Sequence, residues 1–187
     1  MNVRPVLLPL LALPVLGALF YTFHRIDDNQ SFTPQELAAP PRYTLTDADI
    51  LRYDTDGTPT MRGQAHTVEY FDDDSGHATQ VQVDLLADDE VTWHLTSATA
   101  MQPAHERRIL LDSPVIATGT WPDNGEAVTI TTAEVWIDPN SHTFQSDQAV
   151  AARSASRDAD AIGMNAEWQE KRLRLLRDVK MTYVAHQ

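Results

Sequence analysis

AEVWIDPNSHTFQSDQAV, residues 133–150, shows the pattern that decides the fold, because the same layout returns elsewhere in the chain. It consists of a half-apolar run, a polar turn, a second half-apolar run and an acid ahead of a final apolar residue. Related segments read ATAMQPAHERRILLDSPV (98–115) and GMNAEWQEKRLRLLRDVKM (163–181), and a fainter one reads AHTVEYFDDDSGHATQVQV (65–83). Self-similarity at this period is typical of an array of like units, none of which buries its apolar face alone.

Single residues fix the alignment of these segments. Asp112 falls on Asp147 at an offset of 35 residues, and Asp178 falls on Asp147 at an offset of 31. Trp168 falls opposite Trp136 at an offset of 32 residues. Each unit is therefore predicted to be a hairpin that carries an acid in its second strand.

Within the units apolar and polar residues alternate, which is typical of half-buried strands. Turn sequences such as DTDG (54–57), WPDNG (121–125) and DPNS (138–141) separate the runs. The prediction is an all-β fold of about a dozen short strands, arranged as a sandwich or jelly roll. Three sets of residues are predicted to share a face: Trp93, Leu95 and Met101; Val128, Ile130 and Trp136; Leu173, Leu175, Val179, Met181 and Tyr183.

Two segments are less regular. Residues 151–161 (AARSASRDADA) are small and polar, so a loop or a sheet edge is predicted there. Residues 164–176 have a composition that suits a helix, but the repeat alignment favours a hairpin.

The first residues form a separate element. Val6–Phe23 contains no charge and as a helix would span about 27 Å, close to the hydrocarbon thickness of a bilayer. A cleaved signal peptide is the alternative, but the run is long and ends in bulky aromatic residues. We expect a single membrane anchor with a cytoplasmic amino terminus, a linker at 26–42 and an exported β-domain at 43–187.

Composition excludes several classes of function. The formal net charge is −13, and all 27 acidic residues follow Arg25, which argues against a nucleic-acid partner. The chain has no cysteine, so disulfides, thiol chemistry and cysteine-bound metals are excluded.

No sequence motif for catalysis, metal or cofactor binding is present. DDDSG (72–76) resembles half of a calcium loop, but it lacks the distal Glu and suits a hairpin turn. The seven histidines are scattered. We expect no enzyme, metal site or cofactor, although paired carboxylates that meet only in the fold leave a carbohydrate-active enzyme open.

A basic run stands out near the carboxyl end of this acidic domain. In a strand, Arg172, Arg174 and Lys180 would lie on the face opposite Leu173 and Leu175. A charged edge strand that blocks aggregation explains this run, and so does a docking edge for a partner protein that adds a strand.

Taken together, the chain resembles the LptC family of lipopolysaccharide export proteins from Gram-negative inner membranes, over nearly its whole length. It departs from the family where Gly-Asn is common, at Leu111-Asp112, Ser146-Asp147 and Arg177-Asp178. Besides the predicted anchor, the segments that carry the resemblance are YTLTDADILRYDTDG (43–57), AHTVEYFDDD (65–74), WHLTSATA (93–100), ITTAEVWID (130–138) and LRLLRDVKMTYV (173–184).

The resemblance implies a twisted β-jellyroll, like that of LptA, with an apolar groove for lipopolysaccharide. It implies that lipopolysaccharide passes from the ABC transporter LptB/LptF/LptG to an LptA-like periplasmic partner. The transporter would contact the anchor and the first strand, and the periplasmic partner would contact the last strand. Partner-binding candidates are Tyr43, Leu45, Tyr53, Arg172, Arg174 and Lys180. Groove-facing candidates are Val81, Val83, Leu95, Ile109, Val128, Ile130, Trp136, Phe144, Leu173, Leu175, Val179 and Tyr183.

The apolar rows have a second interpretation. They suit an ordinary packed core equally well, and the chain would then be a membrane-anchored scaffold that binds only proteins. The sequence does not separate these two interpretations.

Overall fold

The computed structural model describes residues 40–183, and one antiparallel sheet contains most of them. Within this range the predicted all-β fold is confirmed, but the expected dozen short strands are nine strands of 11 to 13 residues. Each strand pairs with its neighbours in sequence. The strands are β1 (Tyr43–Tyr53), β2 (Pro59–Tyr70), β3 (Gly76–Ala87), β4 (Glu90–Gln102), β5 (Ile109–Thr120), β6 (Ala127–Asp138), β7 (Thr143–Ser154), β8 (Arg157–Glu167) and β9 (Arg172–Tyr183).

The amino-terminal predictions fall mostly outside this range. The proposed anchor at 6–23 and the linker up to residue 39 lie outside the described residues. Between residues 40 and 183, the structure contains no helix with the length and apolar character needed to cross a bilayer.

The sheet rolls over so that strands separated by several positions in the sheet face each other. Neighbouring strands lie about 4.8 Å apart, so β4 and β7 would be roughly 14 Å apart in a flat sheet. Instead, the rings of Trp93 in β4 and Phe144 in β7 are in edge contact, with centroids 5.2 Å apart. The concave side of the rolled sheet, which we call the inner face, therefore carries the core.

The core is densest from β4 to β8. Side chains of Leu95, Leu111, Ile130 and Ile137 are fully buried there. Burial of each such side chain contributes about 1.5–3 kcal/mol of transfer free energy, so this cluster stabilises the rolled form.

A row of irregularities crosses the sheet near the middle of the strands. The pairing register shifts at Asp112/Val115, at Ser146/Ala149 and, opposite Arg177, at Asp160/Ile162. Asp178 has a positive φ of 49° there. The bulges therefore form even though Gly-Asn is absent, and the acids that align the sequence repeats mark this row.

The extra residue at a bulge explains two wrong predictions about facing. Trp136 lies on the outer face, beneath the guanidinium of Arg108 at 4.7 Å, and Val135 and Ile137 are buried instead. Met101 is 45% exposed, whereas Ala100 is buried. An inserted residue reverses the alternation of facing, so simple period-two counting fails beyond it.

The last row of apolar residues does share a face. Leu173 and Leu175 pair across the sheet with Ala166 and Met164, which are buried, and Tyr183 pairs with Arg157. Directly paired residues project to the same side, so these residues belong to the inner face as predicted.

Residues 151–161 are not a loop or an edge, contrary to prediction. They form the β7–β8 hairpin, and Ala152, Ala159 and Ala161 are buried in it. The predicted hairpin in place of a helix at 164–176 is confirmed by β8 and β9. However, Trp168 is fully buried after β8, so aligning it with Trp136 on the outer face was wrong.

An ion pair between a buried arginine and an exposed aspartate joins the turns at one end of this core. Arg157, of which only 9% of the side chain is exposed, donates two hydrogen bonds to Asp123 from the β5–β6 turn. Its guanidinium also stacks on Trp121 at 4.2 Å. The hydrogen bonds from Arg157 hold the pKa of Asp123 below its ordinary value.

Candidate functional site

The inner face of the first strands is hollow. An open cavity of about 520 Å³ lies between β1, β2, β3 and the ends of β4 and β5. This volume falls in the range of about 300–1,000 Å³ that is usual for ligand sites. Its lining is mostly apolar and includes Ile50, Tyr53, Met61, Gly63, Ala65, Val68, Tyr70, Ala78, Val81, Val83, Ala100 and Ile109.

Small side chains create this hollow. Gly63, Ala65 and Ala78 occupy inner positions of β2 and β3, where large apolar residues would fill the space. A Cβ added to Gly63 would meet no atom within 4 Å. We call this part of the inner face, on β1 to β3, the hollow region.

The inner face from β4 to β8, which we call the packed region, is filled. Here a Cβ added to Gly119 would approach the ring of Trp93 to 2.6 Å. The missing side chain at Gly119 is what lets the Trp93 ring lie flat against the sheet. Glycine thus makes room for a neighbouring side chain in the packed region, whereas Gly63 leaves open space.

The edge strand β1 forms one wall of the hollow region. Ile50 pairs with Gly63, which places its side chain over the cavity, and it remains 40% exposed. At one end the rings of Tyr43 and Tyr70 stack with centroids 4.9 Å apart. Burial raises the pKa of the Tyr70 phenol, which is therefore neutral at neutral pH.

The opposite end of the cavity carries a charge. Arg52 lines the cavity beside Met61, with which it is paired across β1 and β2. Its Nη2 donates a hydrogen bond to Oδ1 of Asn140 in the β6–β7 turn, at 3.0 Å. The roll of the sheet makes this contact possible, because five strand spacings separate the two residues along the sheet.

The structure divides the predicted groove residues among several environments. Only Val81, Val83 and Ile109 line the cavity. Leu95, Val128, Ile130 and Phe144 are buried in the packed region. Leu173 and Leu175 are partly buried against that core, Val179 and Tyr183 are exposed on β9, and Trp136 lies on the outer face.

The predicted partner-binding residues lie on the two edges of the sheet. Tyr43, Leu45 and Tyr53 are 40–56% exposed on β1. Arg172 forms an ion pair with Glu167 at 3.0 Å. The other two basic candidates, Arg174 and Lys180, are exposed on β9 and pair across the sheet with Asn165 and Asp160.

The sequence motifs considered for metal binding have other roles. Asp73 accepts hydrogen bonds from the amide and hydroxyl of Ser75, which shapes the β2–β3 turn. No group of three or more His, Asp or Glu side chains in the described part of the chain is arranged to hold a metal. Sequence reasoning missed Gly63 and Arg52, because neither a glycine nor a single arginine in a strand signals a cavity.

A family model matches residues 9–184, and its description reads lipopolysaccharide-assembly, LptC-related. The chain belongs to the LptC family. Membership gives this LptC-family chain a role in lipopolysaccharide assembly and confirms the resemblance drawn from its sequence. A search of curated proteins gives no match.

A solved structure supports the fold of the LptC-family chain. It is LptH from Pseudomonas aeruginosa, described as the LptA-homologous periplasmic component of the conserved lipopolysaccharide transport device. The TM-score is 0.50 at 11% sequence identity, and the match covers 65% of this chain and 93% of LptH. At this identity the similarity shows the fold alone, which is of the LptA type that the sequence predicts.

Proposed function

We propose that this LptC-family chain is a membrane-anchored station of the lipopolysaccharide transport bridge. It accepts lipopolysaccharide from an ABC transporter of the LptB/LptF/LptG type and passes it to an LptA-like periplasmic protein. The observation that carries the proposal is the apolar cavity of the hollow region, which lies open beside an edge strand.

The cavity meets the physical requirement for carrying a lipid through water. Each CH₂ group of an acyl chain that leaves water gains about 0.8 kcal/mol, so exposed chains cannot travel freely. A cavity lined by Val68, Val81 and Val83 shelters such chains without enclosing them. Because the cavity is open along β1, a bound chain can slide out sideways as well as in.

The two edges of the sheet supply the connections to other proteins. The β1 edge borders the hollow region, so a transporter strand added there would extend the cavity directly. The β9 edge presents Arg174 and Lys180, which suit an acidic surface on the periplasmic partner. The helix proposed at 6–23 holds the domain at the inner membrane, with the β-domain in the periplasm.

The packed region favours a second candidate function. From β4 to β8 the inner face holds fully buried Leu95, Ile130 and Phe144 and leaves no space for a lipid chain. A scaffold that binds only proteins would need such a core and no cavity. The two functions therefore differ in what the hollow region does.

Site-specific photo-crosslinking in cells separates these functions. A photoreactive residue at Val83 or Ala65 should form adducts with lipopolysaccharide, because both positions line the cavity. The same residue at Tyr183, which is 70% exposed on the β9 edge, should form adducts with the periplasmic partner.

Ile116 provides a matched control for the lipid adducts. It lies on the outer face of β5 and is 41% exposed, so a probe there is more accessible than one at Val83 but faces away from the cavity. Lipid adducts at Val83 and Ala65 that do not exceed those at Ile116 would refute the lipid conduit and leave the scaffold.

A further inference from the structure

Arg52 is the cationic end of a mostly apolar cavity. The protein carries a formal net charge of −13, so anionic ligands are repelled by most of its surface. Arg52 is a partly buried residue at the wall of this cavity, although its hydrogen bond to Asn140 is exposed to solvent, so a cation at this position needs an explanation in such an acidic protein.

The charge of Arg52 is not neutralised by the residues around it. Among residues 40–183, no carboxylate lies within 4.0 Å of its guanidinium, whose side-chain partner is the neutral amide of Asn140. By contrast, Arg62 on the next strand forms a two-bond ion pair with Asp49, at 3.0 and 2.6 Å. The acid next along β1, Asp54, faces His142 at 3.7 Å and accepts a hydrogen bond from the amide of Thr55.

The guanidinium retains most of its hydrogen-bonding capacity. It has five N–H donors in a planar fork, and the structure assigns one of its nitrogens to Asn140. The remaining donors suit phosphate or carboxylate oxygens, which arginine binds in a bidentate manner. Asn140 holds the guanidinium in place, which reduces the entropy lost when a ligand binds.

We propose that Arg52 binds the anionic group, a phosphate or a carboxylate, of the amphiphile whose acyl chain occupies the cavity. This inference rests on the proposed function and adds an orientation to it. From Met61 beside Arg52 to Tyr70 at the far end, β2 spans roughly 30 Å, so a chain anchored at Arg52 extends along the apolar floor.

The test compares two photoreactive amphiphiles with the same chain and different head groups. The full-length chain, in nanodiscs of zwitterionic phosphatidylcholine, is labelled with dodecyl phosphate or dodecyl glucoside, each bearing a diazirine on the chain. Adducts on peptides from β2 and β3 are quantified by mass spectrometry. We expect about ten-fold more labelling by the phosphate, which is the scale of one charge-assisted contact.

Two variants locate the origin of this preference. Arg52→Gln should abolish the preference for dodecyl phosphate and leave labelling by dodecyl glucoside unchanged. Arg62→Gln removes the same charge from an arginine that is already paired on the outer side, so the preference should persist. A preference that survives in Arg52→Gln overturns the assignment.

The outcomes of the labelling experiment also separate this inference from the proposed function. If neither amphiphile labels β2 and β3 of the wild-type chain, the lipid cavity itself is refuted. Labelling by both amphiphiles without preference refutes only the role of Arg52. Inorganic phosphate at millimolar concentration should compete weakly; if it removes the preference completely, Arg52 binds free anions and not lipid head groups.

Discussion

The packed and hollow regions lie on the same face of the same sheet, yet one is a solid core and the other a cavity. Strands of both regions have similar lengths and the same alternation of inward and outward residues. They differ in the size of the inward residues, since Leu95, Leu111 and Ile130 fill one region while Gly63 and Ala65 leave the other empty. Side-chain volume, rather than strand pattern, therefore decides which part of this fold is available to a ligand.

Truncating one aliphatic side chain in each region should give the largest contrast. Leu111 is fully buried in the packed region, whereas Ile50, which lies over the cavity on β1, is 40% exposed. We expect Leu111→Ala to lower the free energy of unfolding by about 2–5 kcal/mol and Ile50→Ala by about 1 kcal/mol or less. Urea unfolding followed by tryptophan fluorescence measures both, and equal losses would contradict the division into two regions.

Adding one methyl group to a glycine in each region should give effects of opposite sign. Gly119→Ala drives a methyl group into the Trp93 ring and should cost about 1–3 kcal/mol. Gly63→Ala meets no neighbour and has no unusual φ, so it should stabilise the fold by up to about 1 kcal/mol, through the unfolded state. Thermal unfolding of both variants decides this, and a destabilised Gly63→Ala would show that the cavity is not open.

Removing one carboxylate from the ion pair at the end of the packed region, and one from the ion pair on the outer side of β1 and β2, should give the smallest contrast, which depends on pH. Asp123 pairs with the buried Arg157, and Asp49 pairs with the half-exposed Arg62; hydrogen bonds from these arginines lower the pKa of each acid. At pH 7, Asp123→Asn should destabilise the fold more than Asp49→Asn, because it leaves a buried cation unpaired.

The sign of the pH effect follows from the lowered pKa values. Each carboxylate adds stability above its unfolded pKa of about 3.9, and this contribution is lost as pH falls through the lower folded pKa. The difference between wild type and Asp123→Asn should therefore shrink below about pH 4. Unfolding midpoints measured from pH 7 to pH 3 test this, and a difference that grows in acid would contradict the ion-pair explanation.

Local chemistry allowed much of the fold to be predicted from the sequence. Alternation gave the strands and turn residues gave the hairpins. The aligned acids Asp112, Asp147 and Asp178 gave the repeat, and the structure then placed a row of bulges at them. The sequence did not predict the face of the sheet on which side chains lie beyond a bulge, as at Trp136 and Met101. One inserted residue reverses the alternation of inward and outward side chains.

The candidate site was harder to predict for a physical reason. Large apolar residues in a sequence indicate a core, but a cavity arises where side chains are absent or small, as at Gly63 and Ala65. Apolar rows in the packed and hollow regions therefore looked alike. Arg52 gave no signal either, because its position at the cavity depends on the roll of the sheet that brings Asn140 to it.

The sequential order of the nine strands has a consequence for how the molecule is built and altered. Every strand finds its partner in the strand just before it, so ordering the chain never requires threading a segment between two that are already joined. Contacts that are close in sequence favour rapid folding. The same arrangement allows a hairpin to be inserted or deleted within the gene, because the strands on either side can pair with their new neighbours. The number of strands in such a sheet can therefore vary during evolution.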